Sequence, residues 1–281
     1  MNFAYSTNAY RRFTLEETAV RVSKIGYRAI ELLADVPHAW PAGLLPVQIE
    51  QIRRTLDNNH LEIANINAFM MNAVADPRQA FWHPSWIEPS AEYRAIRREH
   101  TKRCLQLAHD LGAKSIQTNP GGPIPNGMSR KDAYSRFYDE IMPCVELAQQ
   151  LDVYLLIEPE PLLLIEKFEQ YLEFYDKIRS PRLGLNFDIG HAFCVGDDPA
   201  SWIPRLADHT RHYHIEDINA QRIHNHLAPG EGAIDFPPIL AAIEKTGFSG
   251  WVTVELYPYL SDPDQAGKTA LAALQQAITL S

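Results

Sequence analysis

The sequence predicts an α/β protein, a (β/α)8 TIM barrel that occupies residues 1–281 as a single domain. Short apolar runs alternate with helical patterns eight times, and such alternation is typical of a parallel sheet with right-handed crossovers. Eight units close a sheet into a barrel, which typically needs roughly 250 residues. Four of the apolar runs end in a carboxylate or an imidazole. Barrels of this kind have their active sites at these carboxyl ends of the strands.

Eight strands are predicted from apolar or alternating runs. They cover residues 3–7, 29–33, 61–67, 114–119, 153–158, 183–191, 212–215 and 251–256. An open, doubly wound sheet is the alternative, but it requires a glycine-rich phosphate loop after the first strand. The segment Tyr5-Ser-Thr-Asn-Ala-Tyr10 is not such a loop, so the closed barrel is favoured.

Local signals place the eight helices between these strands. Thr14 and Glu17 form a capping box, and Gly26 ends that helix. Pro46 lies in the first turn of the next helix, and Gly112 ends the third. We expect helices at residues 14–26, about 46–59, 93–111, 129–150, 166–178, 199–207, 236–246 and 263–278.

A long insertion from Met70 to about Pro89 interrupts the repeat. It carries Phe81, Trp82, His83 and Trp86 among prolines. Loops of this length in compact domains are usually functional or pack on their own side chains. Both interpretations, a cover over the substrate and a packed excursion, stay open at this point.

Composition limits the classes of function. The formal net charge is -9, which argues against a nucleic-acid binder that needs a basic face. The cysteines Cys104, Cys144 and Cys194 fit no disulfide or zinc-ribbon spacing. No secretory leader and no apolar run of membrane-spanning length are visible. We therefore expect a soluble, cytoplasmic protein with no membrane and no nucleic-acid partner.

Four strand ends predict a metal site. Glu158, Asp188, His214 and Glu255 end consecutive strands 5 to 8 and form one arc at the barrel mouth. Three carboxylates and one imidazole suit a hard or borderline divalent cation. A structural ion-pair cluster is the alternative, but no Lys or Arg occurs at these strand ends to neutralise the carboxylates.

The motifs around these residues resemble the sugar isomerase/epimerase superfamily with a xylose-isomerase-like barrel. Its members include ketose 3-epimerases, hydroxypyruvate isomerase, inosose dehydratase and 3-dehydroshikimate dehydratase. The matching motifs are Leu156-Ile-Glu-Pro159, Phe187-Asp-Ile-Gly-His191, Tyr213-His-Ile-Glu-Asp217, Val254-Glu-Leu256, Gly26-Tyr-Arg-Ala-Ile-Glu31 and Gly230-Glu-Gly-Ala-Ile-Asp235. They extend over nearly the whole chain.

That resemblance implies roles for single residues. The four strand-end residues would bind one divalent metal ion (Mn²⁺, Zn²⁺, Mg²⁺ or Co²⁺), and Glu158 and Glu255 would also transfer protons. His191 is similar to the family's ligand for a substrate hydroxyl. Arg222 is the nearest match to an arginine that epimerases use after strand 7, although its spacing differs. Glu160 stands where relatives carry a neutral polar residue, and either lines the pocket or faces solvent.

Further residues are candidates for substrate binding. His38 and Trp40 could form a wall against a sugar, or could simply pack. Asn67 and Asn119 lie at the ends of strands 3 and 4. We expect His224 and His226, on a polar loop, to be solvated rather than to act as ligands.

The expected function is a metal-dependent isomerase or epimerase of a small, unphosphorylated sugar or polyol-derived ketone. A carboxylate would remove the proton next to a carbonyl held by the cation, giving an enediolate. The alternative is a dehydratase of a cyclic keto-polyol or a dehydroshikimate-like acid, whose carboxylate Arg222 or Lys114 would bind. An enzyme resembling endonuclease IV is a remote alternative, because Asn67 and Asn119 replace the histidines of that family. The resemblance also leads us to expect a homo-oligomer.

Overall fold

Eight parallel strands close into a barrel in the order of the chain. The structure is a computed structural model that describes residues 1–73 and 82–280. The strands are β1 (Asn2–Ser6), β2 (Ala29–Leu33), β3 (Glu62–Asn67), β4 (Ser115–Thr118), β5 (Tyr154–Ile157), β6 (Leu183–Asp188), β7 (Thr210–Ile215) and β8 (Trp251–Val254). The last strand pairs with the first, Asn2 beside Trp251, so the predicted (β/α)8 barrel is confirmed.

Helices follow the strands around the outside of this barrel. They are α1 (Leu15–Ile25), α2 (Pro46–Asn58), α3 (Ala91–Leu111), α4 (Arg130–Leu151), α5 (Phe168–Ile178), α6 (Ile189–Cys194), α7 (Pro199–Trp202), α8 (Phe236–Lys245) and α9 (Pro263–Thr279). The capping box of Thr14 and Glu17 is present, and Gly26 ends α1 with a left-handed φ of 113°. In the described part of the chain, no helix has the length and apolar character needed to cross a membrane.

Two predicted boundaries are wrong, each for a local reason. Strand 6 ends at Asp188 rather than at His191, because the Asp188 carboxylate accepts the His191 N–H at 2.7 Å and begins α6. The helix predicted over 199–207 breaks into α7 and a 3-10 turn, because Pro204 has no N–H to continue the helix.

The described part of the long insertion packs against the barrel. Trp86 is fully buried, and its indole N–H donates to Thr118 Oγ1 at 3.1 Å. His83 Nδ1 lies 2.8 Å from Glu88 Oε1. Phe81 lies outside the described residues. The packing interpretation therefore holds for Trp86.

Polar side chains fill much of the barrel interior, where aliphatic layers are usual. Ser115 Oγ donates to Asn65 Oδ1 at 2.7 Å, and Asn65 Nδ2 donates to Glu31 Oε2 at 2.9 Å. Gln117 and His212 are also buried. Ser115, Asn65 and Glu31 thus form a hydrogen-bonded chain beneath the barrel mouth, whereas Gln117 Nε2 and His212 Nε2 have no hydrogen-bond partner among the described residues.

Helix α9 packs on β1 through a glycine. The Tyr5 hydroxyl donates to Pro263 O at 2.9 Å, and the Tyr27 hydroxyl donates to Gly267 O at 3.0 Å. A Cβ on Gly267 would overlap the Tyr5 ring. The close approach of helix and strand therefore depends on the missing side chain.

Replacing Gly267 with alanine tests this contact. Alanine normally stabilises a helix interior by about 1 kcal/mol relative to glycine. Here we expect Gly267→Ala to lower the free energy of unfolding by about 1–3 kcal/mol, because the methyl group overpacks the core. Urea unfolding measures the change. Lys268→Ala, at the next and exposed position, is the control and should change stability by less than about 0.5 kcal/mol. A stabilised Gly267→Ala protein would contradict the contact.

Candidate metal centre

The four residues predicted to bind metal meet at the carboxyl ends of the strands. Glu158 and Glu255 directly follow β5 and β8, while Asp188 and His214 are paired in register on β6 and β7. One ligand atom of each lies within 4.8 Å of the other three, and all four side chains are buried. Parallel strands in barrel order bring these sequence-distant groups to one point.

The two ring nitrogens of His214 have different surroundings. Nε2 lies 2.7 Å from Glu31 Oε2 and donates its proton there, because a carboxylate only accepts. Nδ1 faces Glu158 Oε1 at 2.7 Å, Glu255 Oε2 at 3.5 Å and Asp188 Oδ2 at 3.8 Å. A lone pair on Nδ1 facing three carboxylates requires a proton or a cation between them.

Glu31 orients His214, and it was not among the predicted site residues. Its carboxylate accepts hydrogen bonds from Ser6 Oγ at 2.8 Å, Asn65 Nδ2 at 2.9 Å and Asn67 Nδ2 at 3.1 Å. Burial alone would raise the pKa of Glu31, but the charge and hydrogen bond of His214 lower it to about 2. Glu31 is therefore a fixed negative charge behind His214. The sequence feature that could have identified Glu31 is its acidic side chain within the otherwise apolar run of β2.

Two of the mouth carboxylates are poorly stabilised as anions. Burial raises the pKa of Glu158 to about 7; His214 opposes this shift, whereas Asp188 and Glu31 add to it. Burial also raises the pKa of Glu255 well above its usual value. A divalent cation between the carboxylates would favour their charged forms.

The residues present fit a divalent cation. Asp188 Oδ2 is buried with no hydrogen-bond partner among the described residues, and His214 Nδ1 makes no contact there with hydrogen-bond geometry. Both atoms face the shared point. Three oxygen donors and one nitrogen donor suit Mn²⁺, Mg²⁺, Co²⁺ or Zn²⁺.

A narrow pocket with a cavity volume of about 20 Å³ opens above the four residues. Its described lining residues are Asn67, Phe69, Met71, Glu158, Glu160, His191, His224, His226, Glu255 and Tyr257. Three of the predicted substrate-binding residues, Asn67, Glu160 and His191, thus lie in one wall. Glu160 faces this pocket rather than solvent, and burial together with Glu158 raises its pKa well above the usual value.

The interpretation of His224 and His226 as solvated is wrong. His226 is buried, His224 is half-buried, and both line the pocket beside His191. Asp217 fixes the course of the loop that carries them, because its carboxylate accepts the backbone N–H groups of Gly230 and Gly232 at 3.0 and 2.8 Å. This folding of the loop could not be inferred from its polar composition.

Four other predicted residues lie outside the described lining of the pocket. Arg222 is exposed and donates to Phe193 O at 3.1 Å, so it does not face a substrate here. His38 is buried in the loop after β2. Trp40 stacks on a helix residue, His100, with ring centroids 4.9 Å apart. Asn119 donates to the backbone carbonyl oxygen of Trp82 at 2.9 Å.

A larger cavity, about 490 Å³, lies at the opposite end of the barrel, around the amino ends of the strands. Arg53, Lys114 and Arg211 line it. Lys114 precedes β4, so its assignment to the mouth as a carboxylate-binding group is wrong. None of the four convergent ligands reaches this cavity, so we place the chemistry at the mouth despite the smaller volume there.

Comparisons with known proteins agree with this architecture. Residues 20–277 match the family model described as xylose isomerase-like TIM barrel. Inosose dehydratase of Lacticaseibacillus casei is 34% identical over 274 residues, covering 87% of this chain and 83% of that protein. Fructoselysine 3-epimerase of Escherichia coli O157:H7 is 24% identical over 276 residues, covering 94% of each chain. The structure of the IOLI protein with a bound zinc atom is similar in fold, with a TM-score of 0.79, 18% identity and coverage of 100% and 99%.

Glu31→Gln tests the support of His214. Glutamine keeps the shape but removes the charge behind the imidazole, so we expect divalent-cation affinity to fall about 10–100-fold. Isothermal titration of the metal-free protein with Mn²⁺ or Zn²⁺ measures the affinity. Glu62→Gln, which removes an exposed carboxylate at the other end of the barrel, is the matched control. Equal affinities for the Glu31→Gln and Glu62→Gln proteins would contradict the role of Glu31.

Proposed function

The chain belongs to the xylose isomerase-like TIM barrel family, and we propose that it is a divalent-metal-dependent isomerase or epimerase of a small, unphosphorylated sugar or polyol-derived ketone. The observation that carries this proposal is the convergence of Glu158, Asp188, His214 and Glu255 beneath a polar pocket. Relatives named as an epimerase and a dehydratase of small carbohydrates support it.

The four convergent residues would hold the cation. When bound, the cation supplies Lewis-acid polarisation of a carbonyl and orientation of the neighbouring hydroxyl. Glu158 then removes or returns the proton on the carbon next to the carbonyl, and Glu255 acts on the other side. With the cation bound, Glu158 is held in its charged form, which can accept this proton.

Each proton-transfer group is anchored through one oxygen. Asn186 Nδ2 donates to Glu158 Oε1 at 2.8 Å. Asn8 Nδ2 and Asn67 Nδ2 donate to Glu255 Oε1 at 2.8 and 3.2 Å. These amides fix the orientation of both carboxyl groups. Because Glu158 Oε1 faces His214 Nδ1, Glu158 Oε2 is the atom proposed to exchange protons with the substrate. The two groups come from strands separated by β6 and β7, which suits access to opposite faces of a planar enediolate.

The pocket favours an uncharged substrate. Its described lining contains no Lys or Arg, whereas Glu160 adds a further carboxyl group. Away from the cation, a phosphate or carboxylate on the substrate would meet no compensating charge from the described lining. We therefore assign hydroxyl binding to Glu160, His191 and Asn67, and we do not assign an acid-binding role to Arg222.

Dehydration of a cyclic keto-polyol is the second candidate, favoured by the 34% identity to inosose dehydratase. The same base would remove the proton next to the carbonyl, and the β-hydroxyl would leave as water after taking a proton from Glu160 or Glu255. The lack of a described cation in the lining disfavours the dehydroshikimate-like acid. An absorbing enone in the product identifies elimination; its absence, with proton exchange, identifies isomerisation or epimerisation.

Variants of the two glutamates test the proton transfer. Glutamine keeps the shape and one ligating oxygen but cannot accept a proton, so Glu158→Gln and Glu255→Gln should each lower kcat at least about 10²–10⁴-fold. In heavy water, the wild type should place deuterium on the carbon next to the carbonyl of a converted ketose or inosose. Mass spectrometry of recovered substrate and product measures this exchange.

Glu244→Gln, on α8, is the control and should exchange like the wild type. If the double variant Glu158→Gln, Glu255→Gln exchanged deuterium at the wild-type rate, these residues would not be the bases. The proton-transfer group would then have to be sought at Glu160 or among the histidines.

A further inference from the structure

A buried carboxylate in the loop after β2 binds residues 68–73, which directly follow β3 and are called the mouth segment below. Asp35 Oδ2 accepts the backbone N–H groups of Met71 at 2.6 Å and Asn72 at 2.5 Å. Oδ1 of the same carboxylate accepts the N–H of Ala73 at 3.0 Å. Hydrogen bonds to an ionised acceptor are roughly twice as strong as neutral ones, so this one side chain anchors three consecutive residues.

Two arginines and an asparagine brace the same segment. Arg97, which is fully buried on α3, donates from Nη1 to Ala68 O at 2.9 Å. Arg11 Nη1 donates to Asn72 Oδ1 at 3.1 Å, and Asn72 Nδ2 donates to Val36 O at 2.9 Å. The course of the mouth segment is therefore set by polar contacts at both of its ends.

The mouth segment narrows the pocket above the candidate metal centre. Phe69 and Met71 line this pocket together with His191, His226 and Tyr257. Its cavity measures about 20 Å³, whereas sites for small molecules typically occupy roughly 300–1,000 Å³. A cavity of this size holds about one water molecule, so a molecule as large as a sugar enters only after part of the lining moves.

The mouth segment is the part of the described lining that is best able to move. Asn67 and Glu255 lie at strand ends, and His191 lies in α6, whereas residues 68–73 form neither helix nor strand. Three of the segment's N–H groups bind one carboxylate, so opening these bonds releases the segment without breaking a helix or a strand pair. Regions of this kind have the lowest free energies of local opening.

A further hydrogen bond connects the mouth segment to a proton-transfer group. The Phe69 N–H donates to Asn67 Oδ1 at 3.1 Å, and Asn67 Nδ2 donates to Glu255 Oε1 at 3.2 Å. Movement of the segment would therefore disturb the amide that orients Glu255. The closed position of the segment and the aligned position of Glu255 support each other.

We propose that Asp35 is a positioning residue that holds Phe69 and Met71 across the barrel mouth, and that substrate enters when the bonds from the mouth segment to Asp35 open. In the closed position the segment keeps bulk water away from Glu158 and Glu255, which favours proton exchange with the substrate. This inference goes beyond the proposed function, because it concerns access to the mouth rather than the reaction there.

Chemical modification of histidines in the full-length protein, supplied with Mg²⁺, tests this role. Diethyl pyrocarbonate acylates accessible imidazoles, and tandem mass spectrometry gives the rate at each histidine. His191 and His226 line the pocket and report opening of the mouth, whereas His212 is buried in the barrel interior and reports unfolding. We expect Asp35→Asn to raise the rates at His191 and His226 at least about 10-fold, because asparagine lacks the charge of the acceptor. The rate at His212 should stay unchanged.

Asp57→Asn, which removes an exposed carboxylate from α2, is the matched control and should leave all three rates unchanged. Equal rates at His191 and His226 in the wild type and Asp35→Asn would overturn the proposal. A parallel rise at His212 would also overturn it, because Asp35 would then stabilise the whole fold rather than the mouth.

Circular dichroism establishes that each variant is folded. If Asp35→Asn is not, Asn72→Ala takes its place, since it removes the side-chain bonds to Val36 and Arg11. The same histidine rates should then rise in the same direction, and unchanged rates would overturn the proposal. The assay needs no turnover, so its result is separate from the deuterium exchange that tests the proposed function.

Discussion

The hydrogen bond between His214 Nε2 and Glu31 Oε2, 2.7 Å long and fully buried, is the interaction on which the candidate centre depends. It joins β7 to β2 through the interior of the barrel. Because it places the proton on Nε2, it turns the Nδ1 lone pair toward the carboxylates of the mouth. Loss of this bond would leave the strand-end carboxylates in place but would remove the oriented nitrogen donor.

The polar barrel interior is explained by the need to hold the Glu31 carboxylate beside His214. Glu31 stays charged inside the barrel because His214, together with hydroxyl and amide groups from Ser6, Asn65 and Asn67, donates hydrogen bonds to it. Asn67 also donates to Glu255, so one amide connects the support of His214 to a proton-transfer group. These shared hydrogen bonds link the packing of the barrel to the chemistry at its mouth.

Much of the architecture could be predicted from local patterns. Capping residues such as Thr14 and Gly26 act within one turn of the chain. The carboxyl ends of the strands form the mouth of a closed barrel, so residues at these ends can be placed there from the sequence. For the same reason the sequence predicts that Glu158 and Glu255 converge. The placement of Lys114 failed because it precedes its strand, and such a position lies at the opposite end of the barrel.

Other features depend on tertiary structure and have no local signature. Glu31 faces the barrel interior, which depends on how β2 is oriented between its neighbours. His224 and His226 are buried because Asp217 holds the following turn through hydrogen bonds to Gly230 and Gly232. Arg222 lies only two residues before His224, yet it packs outside the pocket on Phe193. In each case, the sequence shows that the residue is polar or charged, but it does not show where the side chain points.

The most direct measurement is anomalous X-ray diffraction from crystals of the metal-free protein soaked in Mn²⁺. Mn²⁺ prefers oxygen-rich sites, so it is a suitable probe of the centre at Glu158, Asp188, His214 and Glu255. We expect one strong anomalous peak within about 2.0–2.3 Å of a ligand atom from each of the four residues. Ordered crystals with no peak at this point, and with His214 Nδ1 hydrogen-bonded to Glu158 instead, would contradict a metal centre at the barrel mouth.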